Sequence, residues 1–178
     1  MLRTTTEINI DKVLIFIQQN PGCHFRLIKR QLGISVGTVQ YHVNRLEKAR
    51  LICSSKLGFF KCYFPAKIFQ DFDKEILQIL IQERTREILL LILEKQTPTQ
   101  SDIVNKIGIS PASVNWHVQR LISAKVIREI RDGRFKRYQV LEDPYNGRRK
   151  RILTLMKNCY PSIWDKWSNR LTELILAI

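Results

Sequence analysis

An internal repeat constrains this chain more than any other feature. Sliding the sequence by 75 positions lays residues 13–64 on 88–139 without a gap. Gly33-Ile34-Ser35 falls on Gly108-Ile109-Ser110, His42-Val43 on His117-Val118, and Arg45-Leu46 on Arg120-Leu121. Further on, Gly58, Phe60, Lys61 and Tyr63 meet Gly133, Phe135, Lys136 and Tyr138. One ungapped register over so many positions marks a duplicated unit. A chain of 178 residues has room for one ordinary domain or two small ones, and the repeat selects two.

Each copy reads as three helices and a hairpin. Val13, Leu14 and Ile17, repeated as Ile88, Leu89 and Ile92, form the apolar stripe of a first helix. Pro21-Gly22 and Thr97-Pro98 break the chain after it. A second helix turns Phe25, Ile28 and Leu32 inward (Ile103 and Ile107 in the copy), and Gly33 or Gly108 stops it. Ser35 and Ser110 are then N-caps for a third helix, giving a helix-turn-helix. Two strand-like runs follow: 51–56 and 59–64 around Leu57-Gly58, then 126–131 and 134–140 around Asp132-Gly133. A hairpin in that place is a wing. With Leu57-Gly58 as the turn, Cys53 faces Cys62, either as a pair open to oxidation or as two small buried strand residues; the copy has Arg128 and Arg137. The predicted fold is mainly α with small β-hairpins (α+β). It has a winged helix-turn-helix domain at 1–66, a linker helix within 67–84, a second winged domain at 85–144 and a C-terminal helical extension at 145–178.

The third helices, 35–49 and 110–124, carry the chemistry. At about 100° per residue, Val39, Val43 and Leu46 face the core, with His42 and His117 packed at its edge through one hydrogen bond each. The outward set is Val36, Gly37, Thr38, Gln40, Tyr41, Asn44, Arg45 and Lys48; its copy is Pro111, Ala112, Ser113, Asn115, Trp116, Gln119 and Arg120. Identities change but chemistry persists, and acid is nearly absent. Side-chain amides can contact adenine in bidentate fashion, and arginine guanine. The small residues at 37 and 112 permit close approach to a groove. Tyr41 and Trp116 either cover thymine methyls and sugars or pack on a neighbouring element. On the wings, Lys56, Lys61, Arg131, Arg134 and Lys136 suit phosphate or the minor groove, or serve as solvated charge guarding an edge.

Charge points the same way. Lys and Arg number 30 against 16 Asp and Glu, a formal net charge of +14. Residues 1–70 hold 11 basic and 3 acidic groups, net +8; residues 71–144 hold 12 and 11, net +1; residues 145–178 hold 7 and 2, net +5. A polyanion is the partner this implies, nucleic acid before an anionic membrane. The longest aliphatic run, 88–93, is too short to span a bilayer, and Glu7 and Asp11 interrupt any leader-like stretch, so the expected location is cytoplasmic and nucleoid-associated. The four cysteines lack C-x-x-C spacing, and no zinc pattern, nucleophile–base pair or phosphate loop appears. The expectation is therefore no enzyme, metal, cofactor or small-molecule ligand.

The tail repeats nothing. A helix near 148–159 offers Ile152, Leu155 and Met156. Beyond it Trp164, Trp167, Leu171, Leu174 and Ile178 step by 3, 4, 3 and 4, a heptad seam expected to make a homodimer, with packing on the chain's own domains as the alternative.

The runs G-I-S-V-G-T-V-Q-Y-H-V-N-R-L and G-I-S-P-A-S-V-N-W-H-V-Q-R-L resemble the recognition helices of the ArsR and MarR superfamilies of winged-helix regulators. The doubled arrangement, the run from Asn20 to Arg26 and the tail Tyr160-Pro161-Ser162-Ile163-Trp164 resemble archaeal transcriptional regulators with two such domains. The resemblance implies sequence-specific control of transcription on double-stranded DNA. It carries over no ligand, because the metal-binding cysteine motif of ArsR sensors is missing. Two rivals remain open: a tandem winged-helix scaffold that binds proteins, and a non-specific chromatin or RNA-binding protein.

Overall fold

The computed structural model describes residues 5–57, 60–141 and 147–167. The chain divides into two compact units, Met1–Ile81 and Gln82–Ile178. In the first, α1 (Thr5–Gln19) leads through β1 (Cys23–His24) into α2 (Phe25–Leu32), α3 (Val36–Lys48), β2 (Ile52–Leu57), β3 (Phe60–Pro65) and α4 (Asp71–Leu80). In the second, α5 (Glu83–Lys95), α6 (Gln100–Ile107), α7 (Pro111–Ser123), β4 (Ile127–Asp132) and β5 (Phe135–Val140) precede α8 (Arg148–Cys159). Both third helices and both hairpins begin and end at positions 75 apart, so the repeat in sequence is a repeat in structure.

The same local chemistry sets both turns. Gly33 (φ 64°) and Gly108 (φ 71°) take the left-handed conformation, and their N–H groups donate to the carbonyls of Lys29 and Val104. Two residues later Ser35 and Ser110 accept from the N–H groups of Thr38 and Ser113, both at 3.1 Å. A cap of this kind contributes about 1 kcal/mol to the helix it starts.

The apolar stripes meet as expected. Val13, Ile17, Ile28, Val39, Val43, Leu46, Ile52 and Tyr63 form one buried cluster, with Phe25, Leu32 and Ile34 partly buried against it. In the second unit Ile103, Val114, Val118, Leu121, Ile127 and Tyr138 are buried, and α5 is covered all round from Ile88 to Leu93. Helix α4 is not a bare linker: Asp73 and Ile76 to Leu80 are buried, and the helix lies against β2.

Two expectations are corrected. The hairpins close on the pairs Leu57–Phe60 and Asp132–Phe135, and the loop of the second is 133–134. Gly133 (φ 58°) therefore occupies the first loop position, and Asp132 stays in the strand. Cys53 consequently stands opposite Phe64, and Cys62 opposite Ser55, so the cross-strand cysteine pair does not exist. In the copy Arg128 faces Gln139 and donates to it twice, at 2.7 and 3.1 Å. The second correction concerns the tail. Residues 161–167 are helical, and Trp164 and Trp167 are each only 7% exposed in the single chain, so these two positions are covered without a second subunit. Leu171, Leu174 and Ile178 lie outside the described residues.

The core-edge histidines differ between units. His117 Nδ1 lies 2.8 Å from the hydroxyl of buried Thr85, as a packed histidine requires. His42 is more deeply buried than His117, but its Nδ1 has no hydrogen-bond partner, against expectation. The residue 75 positions before Thr85 is Ile10, which has no side-chain oxygen to offer. Burial, and then the neighbouring Arg45 or Arg120, holds both imidazoles below their ordinary pKa. Thr85→Val is expected to leave His117 equally unpaired and to cost the second unit roughly 1–3 kcal/mol, measured by urea unfolding.

Candidate nucleic-acid interface

Helix α3 separates two kinds of side chain. Val39, His42, Val43 and Leu46 are buried, while Val36, Gly37, Gln40, Tyr41, Asn44, Arg45 and Lys48 are exposed. Thr38 is half-buried, its hydroxyl 2.8 Å from that of Ser35. Tyr41 is 52% exposed although it is a large aromatic, so it does not pack on a neighbouring element. The outward side chains also organise one another. Gln40 donates to the side-chain amide oxygen of Asn44 at 2.9 Å, and the Arg45 guanidinium lies 5.6 Å from the Tyr41 ring centre and 3.5 Å from the phenol oxygen. The first turn contains no acid.

Helix α7 repeats this arrangement with other residues. Pro111, Ala112, Asn115 and Gln119 are exposed, Ser113 is half-buried, and Trp116 is 49% exposed. The Arg120 guanidinium stacks 4.7 Å from the Trp116 ring centre. Each unit thus holds an arginine against an aromatic one turn earlier on the same outward face, an arrangement that pre-orders a long flexible side chain.

The wings agree with expectation only in part. Lys56 stands opposite Lys61, and Arg131 opposite Lys136, in both ladders a pair of like charges. Such pairs are destabilising unless something relieves them. Lys61 is tied to Glu47 at 2.9 Å and Lys136 to Glu129 at 3.2 Å, so each shares its charge with a carboxylate and would meet a phosphate only by partly leaving it. Burial works against the Glu47 carboxylate, but hydrogen bonds from Ser54 and Lys61 outweigh it and hold its pKa below the ordinary value. Lys56, Arg131 and Arg134 are exposed as expected.

Two groups escaped the reading of the sequence. Arg26, Lys29 and Arg30 are exposed on α2 at the spacing that shares one helix face. The copy has Ser101, Val104 and Asn105 there, so this charge belongs to the first unit alone. Comparing the two second helices, rather than only the third, reveals it. The other group is Phe60 and Phe135, 52% and 47% exposed beside the two wing loops. Among the described residues no helix is long and apolar enough to cross a membrane, and no cluster of His, Cys, Asp and Glu could hold a metal.

Comparison with known proteins matches residues 9–77 to a family described as an N-terminal HTH domain and residues 81–128 to one described as winged helix-turn-helix DNA-binding. The HTH-type transcriptional regulator MJ1398 of Methanocaldococcus jannaschii is 29% identical over 119 residues, which cover 66% of this chain and 29% of the relative. The chain thus spans less than a third of the relative's length. Among solved structures, reduced HlyU from Vibrio cholerae aligns with 50% of this chain and 88% of its own (TM-score 0.42, 15% identity). An ArsR family transcriptional regulator aligns with 56% and 94% (TM-score 0.37, 19% identity). Two helix-turn-helix families in succession, each with its capped third helix and hairpin in place, identify the chain as a tandem winged helix-turn-helix protein, similar to an archaeal HTH-type transcriptional regulator.

Proposed function

We propose that the chain is a transcriptional regulator that reads double-stranded DNA by sequence, with α3 and α7 in the major groove and the two wings on the backbone or in the minor groove. The observation that carries this is the outward face of α3. Gln40, Tyr41, Asn44 and Arg45 lie exposed and mutually ordered on a face without acid, and α7 repeats that chemistry. The groups present are those that match base edges: amides for adenine, guanidinium for guanine, aromatic surface for the thymine methyl. Binding, not catalysis, is what this surface does, and a cytoplasmic, nucleoid-associated location follows from a DNA partner.

The units divide the work. Arg26, Lys29 and Arg30 place three cations on the helix that crosses the backbone ahead of the reading helix, and only the first unit has them. The first unit therefore anchors as well as reads, and the second reads with less attraction of its own to the backbone. Replacing all three with alanine is expected to lower affinity for every duplex alike and to reduce the slope of log K against log salt by about 3 in magnitude, measured by fluorescence anisotropy across a salt series.

A homodimer through the C-terminal heptad is part of this reading. Because Trp164 and Trp167 are already covered, a second copy would engage the seam from Leu171 onward. The experiment is selection of bound fragments from random duplex DNA, followed by mass measurement of the complex. A shared sequence with two 21.0 kDa chains per duplex is expected. One chain per duplex removes the dimer, and no shared sequence removes the regulator.

A further inference from the structure

The duplication makes an internal comparison possible at the wing tips. Phe60 and Phe135 occupy the same repeat position, in the last strand pair before each loop, and both are about half exposed. Their neighbours have diverged: Leu57 is replaced by Asp132, Phe59 by Arg134 and Cys62 by Arg137. Packing inside the domain does not explain the shared phenylalanine. Phe60 has the His24 ring at 5.8 Å, but Thr99 stands in that place in the second unit, where the neighbour of Phe135 is the Arg134 guanidinium at 5.2 Å. What the two sites share is an aromatic ring, open to solvent, beside exposed cations: Lys56 in one, Arg131 and Arg134 in the other, with Lys61 and Lys136 next to them paired to Glu47 and Glu129.

We infer that Phe60 and Phe135 are wedges that enter the minor groove of duplex DNA at a base step and kink it. The inference rests on the DNA-reading function proposed above. The cations match the negative potential of a narrow minor groove and bring the tip to it. An apolar ring delivered there unstacks a step, most readily a pyrimidine–purine one, and bends the duplex toward the major groove. This adds selectivity at positions that the helices do not touch. A partner protein is the less favoured occupant: Asp132, which faces Phe135, is paired with Arg137, and the exposed cations Lys56, Arg131 and Arg134 suit a polyanion.

The test uses the full chain and the selected duplex, labelled with a donor and an acceptor at its two ends. Wild type is expected to bend it by some tens of degrees, within the roughly 20–90° that side-chain wedges produce. The double substitution Phe60→Ser with Phe135→Ser is expected to abolish most of the bend and to lower affinity for that duplex about tenfold. Its salt slope on random DNA should stay unchanged. Phe60→Leu with Phe135→Leu should keep the bend, since leucine also wedges. Unchanged melting temperatures separate these effects from misfolding. A straight duplex with wild type, or an equal bend with the serine variant, overturns the inference and leaves the rings to a protein partner. If selection yields no preferred sequence, the bend is read on random duplex at low salt. A bend that the serine variant loses there keeps the wedge while the regulator reading falls, and a straight duplex there overturns the wedge as well.

Discussion

Replacing Tyr41 and Arg45 together with alanine lowers affinity for the selected duplex by roughly a hundredfold, while affinity for random duplex falls by no more than about tenfold. The difference follows from what the two side chains do. A bidentate base contact is worth about 1–3 kcal/mol of discrimination, and tenfold in affinity is about 1.4 kcal/mol. Arg45 is held against the Tyr41 ring, so removing both takes away the contact and the surface that orients it. On random DNA only one cation is lost, a single phosphate-strength interaction. Both residues are exposed, so the fold should not register the change. Trp116→Ala with Arg120→Ala puts the same question to the second unit. Equal losses on selected and random duplex would favour a non-specific binder.

The second large effect is on stability. Gly22→Ala is expected to destabilise the first unit by roughly 2–5 kcal/mol. Gly22 has φ 88°, which an L side chain adopts at a cost of about 1–2 kcal/mol. Its Cβ would also stand 3.0 Å from both the backbone carbon and the oxygen of Leu77 in α4. Backbone cannot rotate away as a side-chain tip can, so α4 would have to shift and repack, at about a further 1–3 kcal/mol. For a unit of this size the melting temperature should fall by at least roughly 8 °C, measured by calorimetry. The second unit has Thr97 at the matching position, so the constraint comes from α4 and not from the winged-helix fold. An unchanged melting temperature would mean that α4 does not sit on this turn.

How much of this was legible in the sequence depends on how local each cause is. The capped third helices were legible because Gly33-Ile34-Ser35 and Gly108-Ile109-Ser110 act within a few residues of themselves. So was the division of α3 into a core face and an outward face, which helical period alone fixes. The hairpin register was not. A glycine at either loop position gives a plausible two-residue turn, and a slip of one residue in the loop moves Cys53 from Cys62 to Phe64. Contacts between distant residues were also hidden. Nothing near Lys61 in sequence announces Glu47, and nothing near His117 announces Thr85. The tryptophans of the tail show that a heptad states a need for cover without saying which chain provides it. At the interface, polar and charged positions drew attention to Gln40, Asn44 and Arg45. Phe60 and Phe135 passed as strand residues until their exposure was seen.

Reading of DNA by this chain depends on the outward sides of α3 and α7 meeting base edges in the major groove. The most direct test is to replace purines of the selected duplex one at a time by their 7-deaza analogues, which delete the acceptor that arginine uses on guanine and that amides use on adenine. Affinity of the full chain is then measured at each position. Clusters of sensitive positions are expected, with losses of roughly tenfold or more. Restoring part of that loss should fail in the variant lacking Tyr41 and Arg45, which should no longer distinguish the analogue from the natural base. Indifference to the analogue at every position, by a chain that still prefers this duplex, would contradict the account.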